Sequence, residues 1–134
     1  MNGRALRRPH IAVIGLLALF GSGGPLAGTP TAADLGTWVE LGPMPMSNAE
    51  FNAATIGDRV YLAGGFSDES ALLIYRLKTD TWSRCADLAA GNHHPGVAAL
   101  DGKLYVIGGH DTESLVQIYD PATDTWSSGA PMPF

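Results

Sequence analysis

The chain has 134 residues, with 13 acidic against 8 basic side chains and a formal net charge of -5. A nucleic-acid partner is excluded, because binding a phosphate backbone requires a basic footprint that these scattered cations do not make. Cys85 is the only cysteine, so neither an intramolecular disulfide nor a thiolate metal cluster can form within one chain.

Met1 to His10 carries Arg4, Arg7 and Arg8 and no acid, and Ile11 to Phe20 is an uncharged apolar tract. Gly21-Ser-Gly-Gly-Pro25 then breaks the tract, and small residues lead to Thr31-Ala-Ala33. This is the three-part layout of a secretory signal, and the tract falls short of the roughly 20 apolar residues that a membrane-spanning helix needs. Residues 1–33 are therefore predicted to be a cleaved signal peptide, with Ala33 suiting the small-x-small rule better than Ala27. Arg7-Arg8 raises the twin-arginine route, for which Pro9-His10 is a poor continuation. The remainder, 34–134, is expected to be secreted or periplasmic, with no stable membrane anchor and a net charge of about -8 once the three arginines are gone.

After Ala33 the chain reads as short strands punctuated by turns. Thr37–Leu41 is predicted as a brief leading strand, closed by Gly42-Pro-Met-Pro45. Phe51–Ile56 turns through Gly57-Asp58 into Arg59–Gly64, a two-residue glycine-bearing connection that signals a hairpin. Ala71–Leu77 turns through Lys78-Thr-Asp80 into Thr81–Ala86. The same series returns as Pro95–Leu100, Asp101-Gly102, Lys103–Gly108, Ser114–Tyr119, the turn 120–124, and Thr125–Gly129. Gly91 and Pro95 cut short the one alanine-bearing stretch, 87–92, so no helix of useful length is predicted outside the signal.

The two series are copies set 44 residues apart without an insertion. Trp38, Trp82 and Trp126 keep that interval, as do Tyr75 and Tyr119, the pairs Gly64-Gly65 and Gly108-Gly109, and Thr79-Asp-Thr81 and Thr123-Asp-Thr125. Self-similarity at such a period marks a unit that buries its apolar faces against copies of itself. Val60-Tyr-Leu-Ala63 and Leu104-Tyr-Val-Ile107 are apolar on both pleat faces, which predicts strands sandwiched between layers. A four-stranded antiparallel sheet repeated at fixed length and covered on both sides describes a propeller blade. The glycine pairs are expected to let backbone or a ring approach, with Tyr75 and Trp82 as the large rings available. Cys85, three residues after Trp82, takes the slot of Leu41 and reads as a small core residue.

A glycine doublet followed by a tyrosine and then a Thr-Trp step is met by Gly64-Gly65, Tyr75, Thr81-Trp82 and by Gly108-Gly109, Tyr119, Thr125-Trp126. On these residues the chain resembles the kelch-repeat family. Tyr119-Asp-Pro121 and Pro131-Met-Pro133 are similar to the family's phrases, whereas Arg76-Leu77 and Asp87-Leu-Ala-Ala90 depart from them. The resemblance implies an all-β fold, a partial kelch-type β-propeller of two four-stranded antiparallel blades plus an extra leading outer strand. The repeats are set at 38–81 and 82–125, with the start of a third at 126–134. A closed propeller takes about four to eight blades. Further blades in the same polypeptide, or self-association of several chains, are therefore expected to be needed for closure. A fragment of a larger propeller is the preferred reading over a ring of chains or a stable half-propeller, because Phe134 stops inside a motif.

In an antiparallel meander successive turns alternate between two edges. The tight turns at 57–58, 78–80, 101–102 and 120–124 share one edge; the longer loops 42–50, 66–70, 87–94 and 110–113 share the other, which is the predicted binding face. Its candidates are Asn48, Glu50, Phe66, Asp68, Asn92, His93, His94, His110 and Asp111. No cofactor and no metal site is predicted: His93, His94, His110 and Asp111 are metal-ligating types, but adjacent histidines are expected to point apart. The acidic groups of 67–69 and 111–113 match no calcium loop. No nucleophile elbow, phosphate loop or dinucleotide fingerprint occurs in 34–134. The expected function is an exported binding module that meets a protein or a glycan. Alternatives are part of a carbohydrate-active enzyme, as the resemblance extends to galactose oxidase and sialate mutarotases at the level of the blade, and a truncated inactive product. No catalytic residue is assigned.

Overall fold

The computed structural model describes residues 36–110 and 112–133. The predicted signal peptide lies outside the described residues. The chain divides into two units, 1–43 and 44–134, and among the described residues all regular structure lies in the second.

Among the described residues eight strands follow one another: β1 (Asn52–Ile56), β2 (Arg59–Ala63), β3 (Leu72–Arg76), β4 (Thr81–Arg84), β5 (Gly96–Leu100), β6 (Lys103–Ile107), β7 (Val116–Asp120) and β8 (Thr125–Ser128). They form two four-stranded sheets, ordered β1-β2-β3-β4 and β5-β6-β7-β8, antiparallel throughout. The predicted strands are found with ends within two residues of those expected, except one. Thr37–Leu41 is not a strand: a strand exists only through a ladder partner, and none pairs with it among the described residues. Trp38 there is 86% exposed.

Local chemistry accounts for the turns. Asp101 and Gly102 have φ of 50° and 74°, the left-handed pair of a type I′ turn, and register Leu100 against Lys103. The longer turns of each blade end on Asp80 and Asp124, at φ of 51° and 54°. Aspartate tolerates that conformation, and its carboxylate has a partner. Tyr75 Oη donates to Asp80 Oδ1 at 2.5 Å and Tyr119 Oη to Asp124 Oδ1 at 2.7 Å. The flanking threonines share a hydroxyl hydrogen bond, 79 with 81 and 123 with 125, at 2.7 Å in each case. The repeated Thr-Asp-Thr step is thus a latch that ties the β3–β4 or β7–β8 turn to the tyrosine in the strand before it.

The blades stack face to face. Tyr61, Ala63, Leu72 and Ile74 of the first form one buried cluster with Leu88 of the connecting loop and Leu104, Val106 and Tyr119 of the second. The rings of Tyr61 and Tyr119 tilt together at 6.0 Å. Cys85 packs against this cluster as expected, and burial pushes its thiol pKa up, away from reactivity. The seam is also stitched by polar contacts. Trp126 Nε1 donates to Ala86 O and the Ala86 N–H donates to Asp124 Oδ1, both at 2.9 Å. The Gln117 amide pairs twice with the Ala90 backbone, at 2.9 Å each way.

Burial on both faces holds for blade 1, where 61–63 and 72–75 are buried without interruption. It does not hold for blade 2. Leu104, Val106, Gln117 and Tyr119 are buried against the first sheet, whereas Tyr105, Ile107, Val116 and Ile118 on the opposite face are only half-buried.

The glycine pairs make room for backbone, one of the two expected neighbours, and for an asparagine amide in place of the ring. A Cβ on Gly65 (φ 117°) would collide with the Asn48 side chain, and one on Gly109 (φ 110°) with the Asn92 side chain. Asn48 Nδ2 donates to Gly64 O at 3.0 Å, and Asn92 Nδ2 donates to Gly108 O in the same way. The rings of Tyr75 and Trp82 instead pack on each other at 4.9 Å, and those of Tyr119 and Trp126 at 5.1 Å.

Candidate functional site

The longer loops of unit 44–134 gather at one edge, beside β1 and β5, and backbone hydrogen bonds fix their relative positions. Phe66 N donates to Ala49 O at 2.8 Å, and His110 N donates to His93 O at 3.0 Å. These are one contact repeated 44 residues on. Two further bonds cross between blades: Gly65 N to Asn92 O at 2.9 Å and His94 N to Glu50 O at 2.8 Å.

Five predicted site residues, Glu50, Phe66, His93, His94 and His110, form a cluster on this framework. The His93 ring lies between two others, Phe66 edge-on at 5.7 Å and His110 stacked at 4.7 Å with 17° between planes. Phe66 and His110 are repeat equivalents, each directly after a glycine pair, so the repeat itself places a ring on either side of His93. Phe66 remains 67% exposed, an apolar surface held in place by its neighbours and not by the core. His93 Nδ1 and His94 Nδ1 are 2.8 Å apart, so one ring donates its proton to the other, and Glu50 Oε2 lies 3.4 Å from the first and 3.6 Å from the second.

The sequence argument that adjacent histidines point apart fails here for a conformational reason. Its premise is an extended backbone, in which successive side chains alternate. His94 has φ of 56°, which turns its side chain back toward that of His93. Glu50, its repeat equivalent, has φ of 61° and approaches from the preceding loop. The 44-residue interval relating positions 50 and 94 was the signal that would have joined them.

The other candidates divide differently. Asn48 and Asn92 serve the glycine pairs, and Asn92 is 1% exposed, which removes it from any ligand-facing role. Asp68 accepts from Arg84 at 2.7 Å and from the Ser70 hydroxyl at 3.0 Å, and the Arg84 bond holds its carboxyl below the usual range. Arg84 also binds Asp87 at 2.7 Å, so Asp68 belongs to a loop-ordering network. Asp111 lies outside the described residues. At the opposite edge, a shallow cleft of 370 Å³ is lined by Ile56, Asp58, Arg59, Tyr61, Gly102, Asp120, Pro121 and Ala122. Its charges are engaged in part: Lys103 binds Asp120 at 2.7 Å and Lys78 binds Asp58 at 3.2 Å.

A model of the kelch motif matches the chain twice, over residues 48–89 and 92–133. The chain belongs to the kelch-repeat family. Each match spans one of the two sheets, from the asparagine that enters it to the loop that leaves it. No curated protein matches the chain. Kelch repeats are protein-interaction modules, and two blades need others to close a propeller. The loop edge presents an exposed ring, three imidazoles and a carboxylate. That set suits recognition of a surface by stacking, hydrogen bonding and charge.

Proposed function

We propose that this kelch chain is an exported interaction module that engages a protein partner through Phe66, His93, His94, His110 and Glu50. In this reading residues 1–33 are the cleaved signal and 34–134 the kelch-repeat region. The observation that carries it is the placement of Phe66. An aromatic side chain exposed at a loop edge, fixed by its backbone bond to Ala49 and its contact with His93, loses little conformational freedom on binding. The edge with the tight turns lacks a comparable ring, among the described residues.

The test is site-specific photo-crosslinking in the native host. A photoreactive phenylalanine analogue at position 66 is compared with one at Leu100, which is 59% exposed at the opposite edge. Crosslinks to one defined protein from position 66, absent from position 100 and lost on His93→Ala, are expected. Crosslinks from position 100 alone would place binding at the other edge. Retention on a glycan array with no protein adduct would replace the partner class. Export is checked by the size and compartment of the mature chain.

A further inference from the structure

Glu50 Oε2, His93 Nδ1 and His94 Nδ1 stand 3.4, 3.6 and 2.8 Å from one another. Three atoms so spaced share a centre about 1.9 Å from each, against zinc bonds of about 2.0–2.2 Å to imidazole nitrogen and carboxylate oxygen. We propose that these residues form a site for a zinc-class divalent cation, joining the loop that enters blade 1 to the loop that enters blade 2.

Ligand chemistry selects the class. Two imidazoles and one carboxylate suit zinc, nickel or copper, whereas calcium and magnesium seek oxygen donors. The donors are positioned before any ion arrives. The Glu50 carbonyl accepts the His94 N–H at 2.8 Å, and His93 is held between Phe66 and His110. In the empty site the two histidines share a proton on the Nδ1 pair. An ion takes its place when each ring carries its hydrogen on Nε2, and the nitrogens then move apart toward tetrahedral spacing. The Glu50 and His94 side chains are 40% and 60% exposed, which leaves a fourth position open to water or to a donor group from outside.

The backbone supports the assignment independently. Five residues other than glycine have positive φ among the described ones, and three are aspartates in hairpin turns. The other two are Glu50 and His94. Glutamate has no local side-chain device that favours this conformation. Both residues lie two before the first strand of their blade, β1 or β5, at equivalent repeat positions, so the conformation aims two donors at one place.

The experiment is calorimetric titration of the full chain with zinc chloride, alongside thermal melting with zinc, calcium or magnesium. One zinc per chain and a melting shift with zinc alone are expected, as is visible ligand-field absorption of a four-coordinate ion with cobalt(II). Glu50→Gln and His94→Asn should each weaken zinc binding about tenfold or more, and asparagine tolerates the left-handed backbone so that the second variant folds. Circular dichroism of the metal-free variants should match the parent. Asp101→Asn, at the opposite edge, should retain parent-like zinc binding, since it removes a carboxylate away from the site and asparagine tolerates the left-handed backbone there. The proposal is overturned if zinc produces neither heat nor melting shift, if both variants bind like the parent, or if Asp101→Asn loses as much as His94→Asn.

Discussion

The two blades are built on the same spacing, yet they hold the molecule together by different means. Asn48 and Asn92 each brace a glycine pair, but Asn48 is half-buried while Asn92 sits at the junction between sheets. Asn92 donates from its amide to Gly108, donates from its backbone to Glu69, and accepts from Gly65. One residue therefore ties its own blade to the one before it. Position 73 in β3 is a buried leucine, and its equivalent in β7 is Gln117, whose amide takes both backbone groups of Ala90. What differs is the neighbour: blade 2 packs against a sheet and a connecting loop on one face and has its other face half-covered. Place in the array, more than the motif, decides what each copy stabilises.

The sharpest way to break that comparison is to put the same methyl group on both motifs. In Gly64→Ala the new Cβ runs into the Asn92 carbonyl oxygen, a backbone atom already bonded to Gly65. In Gly108→Ala it meets Glu113 O, a backbone atom farther off at 2.9 Å, and the Met132 Cε at 3.1 Å, which can move. Both glycines have positive φ, so both variants carry a backbone penalty of about 1–3 kcal/mol. The first should lose roughly 4 kcal/mol or more and the second about 2 kcal/mol, read from urea midpoints. Equal losses would mean that the seam gives Gly64 no special role.

This pair also shows how far the sequence could be read. Strand order, turns and every strand but Thr37–Leu41 follow from hairpin signals, alternation and the fixed interval, because these are local or periodic properties. Latching of Tyr75 and Tyr119 to the turn aspartates was visible as a recurrence of residues without its geometry. The use of the glycine pairs was legible only in part: backbone does approach Gly64 and Gly108, but the partner of Gly65 and Gly109 is an asparagine on a loop before the sheet, 17 residues from the glycine it touches. At the loop edge Glu50, Phe66, His93, His94 and His110 come together, whereas Asn48, Asn92 and Asp68 are held in structural contacts. Their roles depend on which loop lies beside which, a matter of tertiary placement. The grouping of Glu50 with His93 and His94 depends on two left-handed backbones, which neither residue type announces.

A middle-sized effect sharpens the contrast between Leu73 and Gln117. Gln117→Leu keeps the shape of the site but leaves the Ala90 N–H and C=O without their partners, which should cost about 2 kcal/mol. Leu73→Gln places an amide at the equivalent position, 4% exposed, and should cost about 2–3 kcal/mol. Because each residue fits only its own blade, exchanging the two should give losses that add. Urea denaturation of the two single variants and the double variant measures this. A neutral Gln117→Leu would mean that water serves Ala90, and that blade 2 does not depend on the loop contact.

The smallest effect concerns the phenols. The hydrogen bond to Asp80, aided by burial, pushes the Tyr75 pKa up from 10.0 to about 12. Burial, with Cys85 and Asp124 beside it, pushes Tyr119 higher still. A phenol whose folded value is raised contributes stability that is complete below the unfolded value near pH 10 and is lost as pH rises through the folded value. Between pH 10 and about 12 the unfolded chain gives up protons that both folded tyrosines keep, so stability should fall across that window. Tyr75→Phe and Tyr119→Phe should each start about 1 kcal/mol lower for the lost hydrogen bond and then fall less steeply than the parent. Urea midpoints from pH 9 to 12 give the slopes. Equal flattening would show that the tyrosine latch acts alike in both blades despite their different surroundings. Flattening in Tyr119→Phe alone would show that burial at the seam governs the titration, and that the aspartate bond does not.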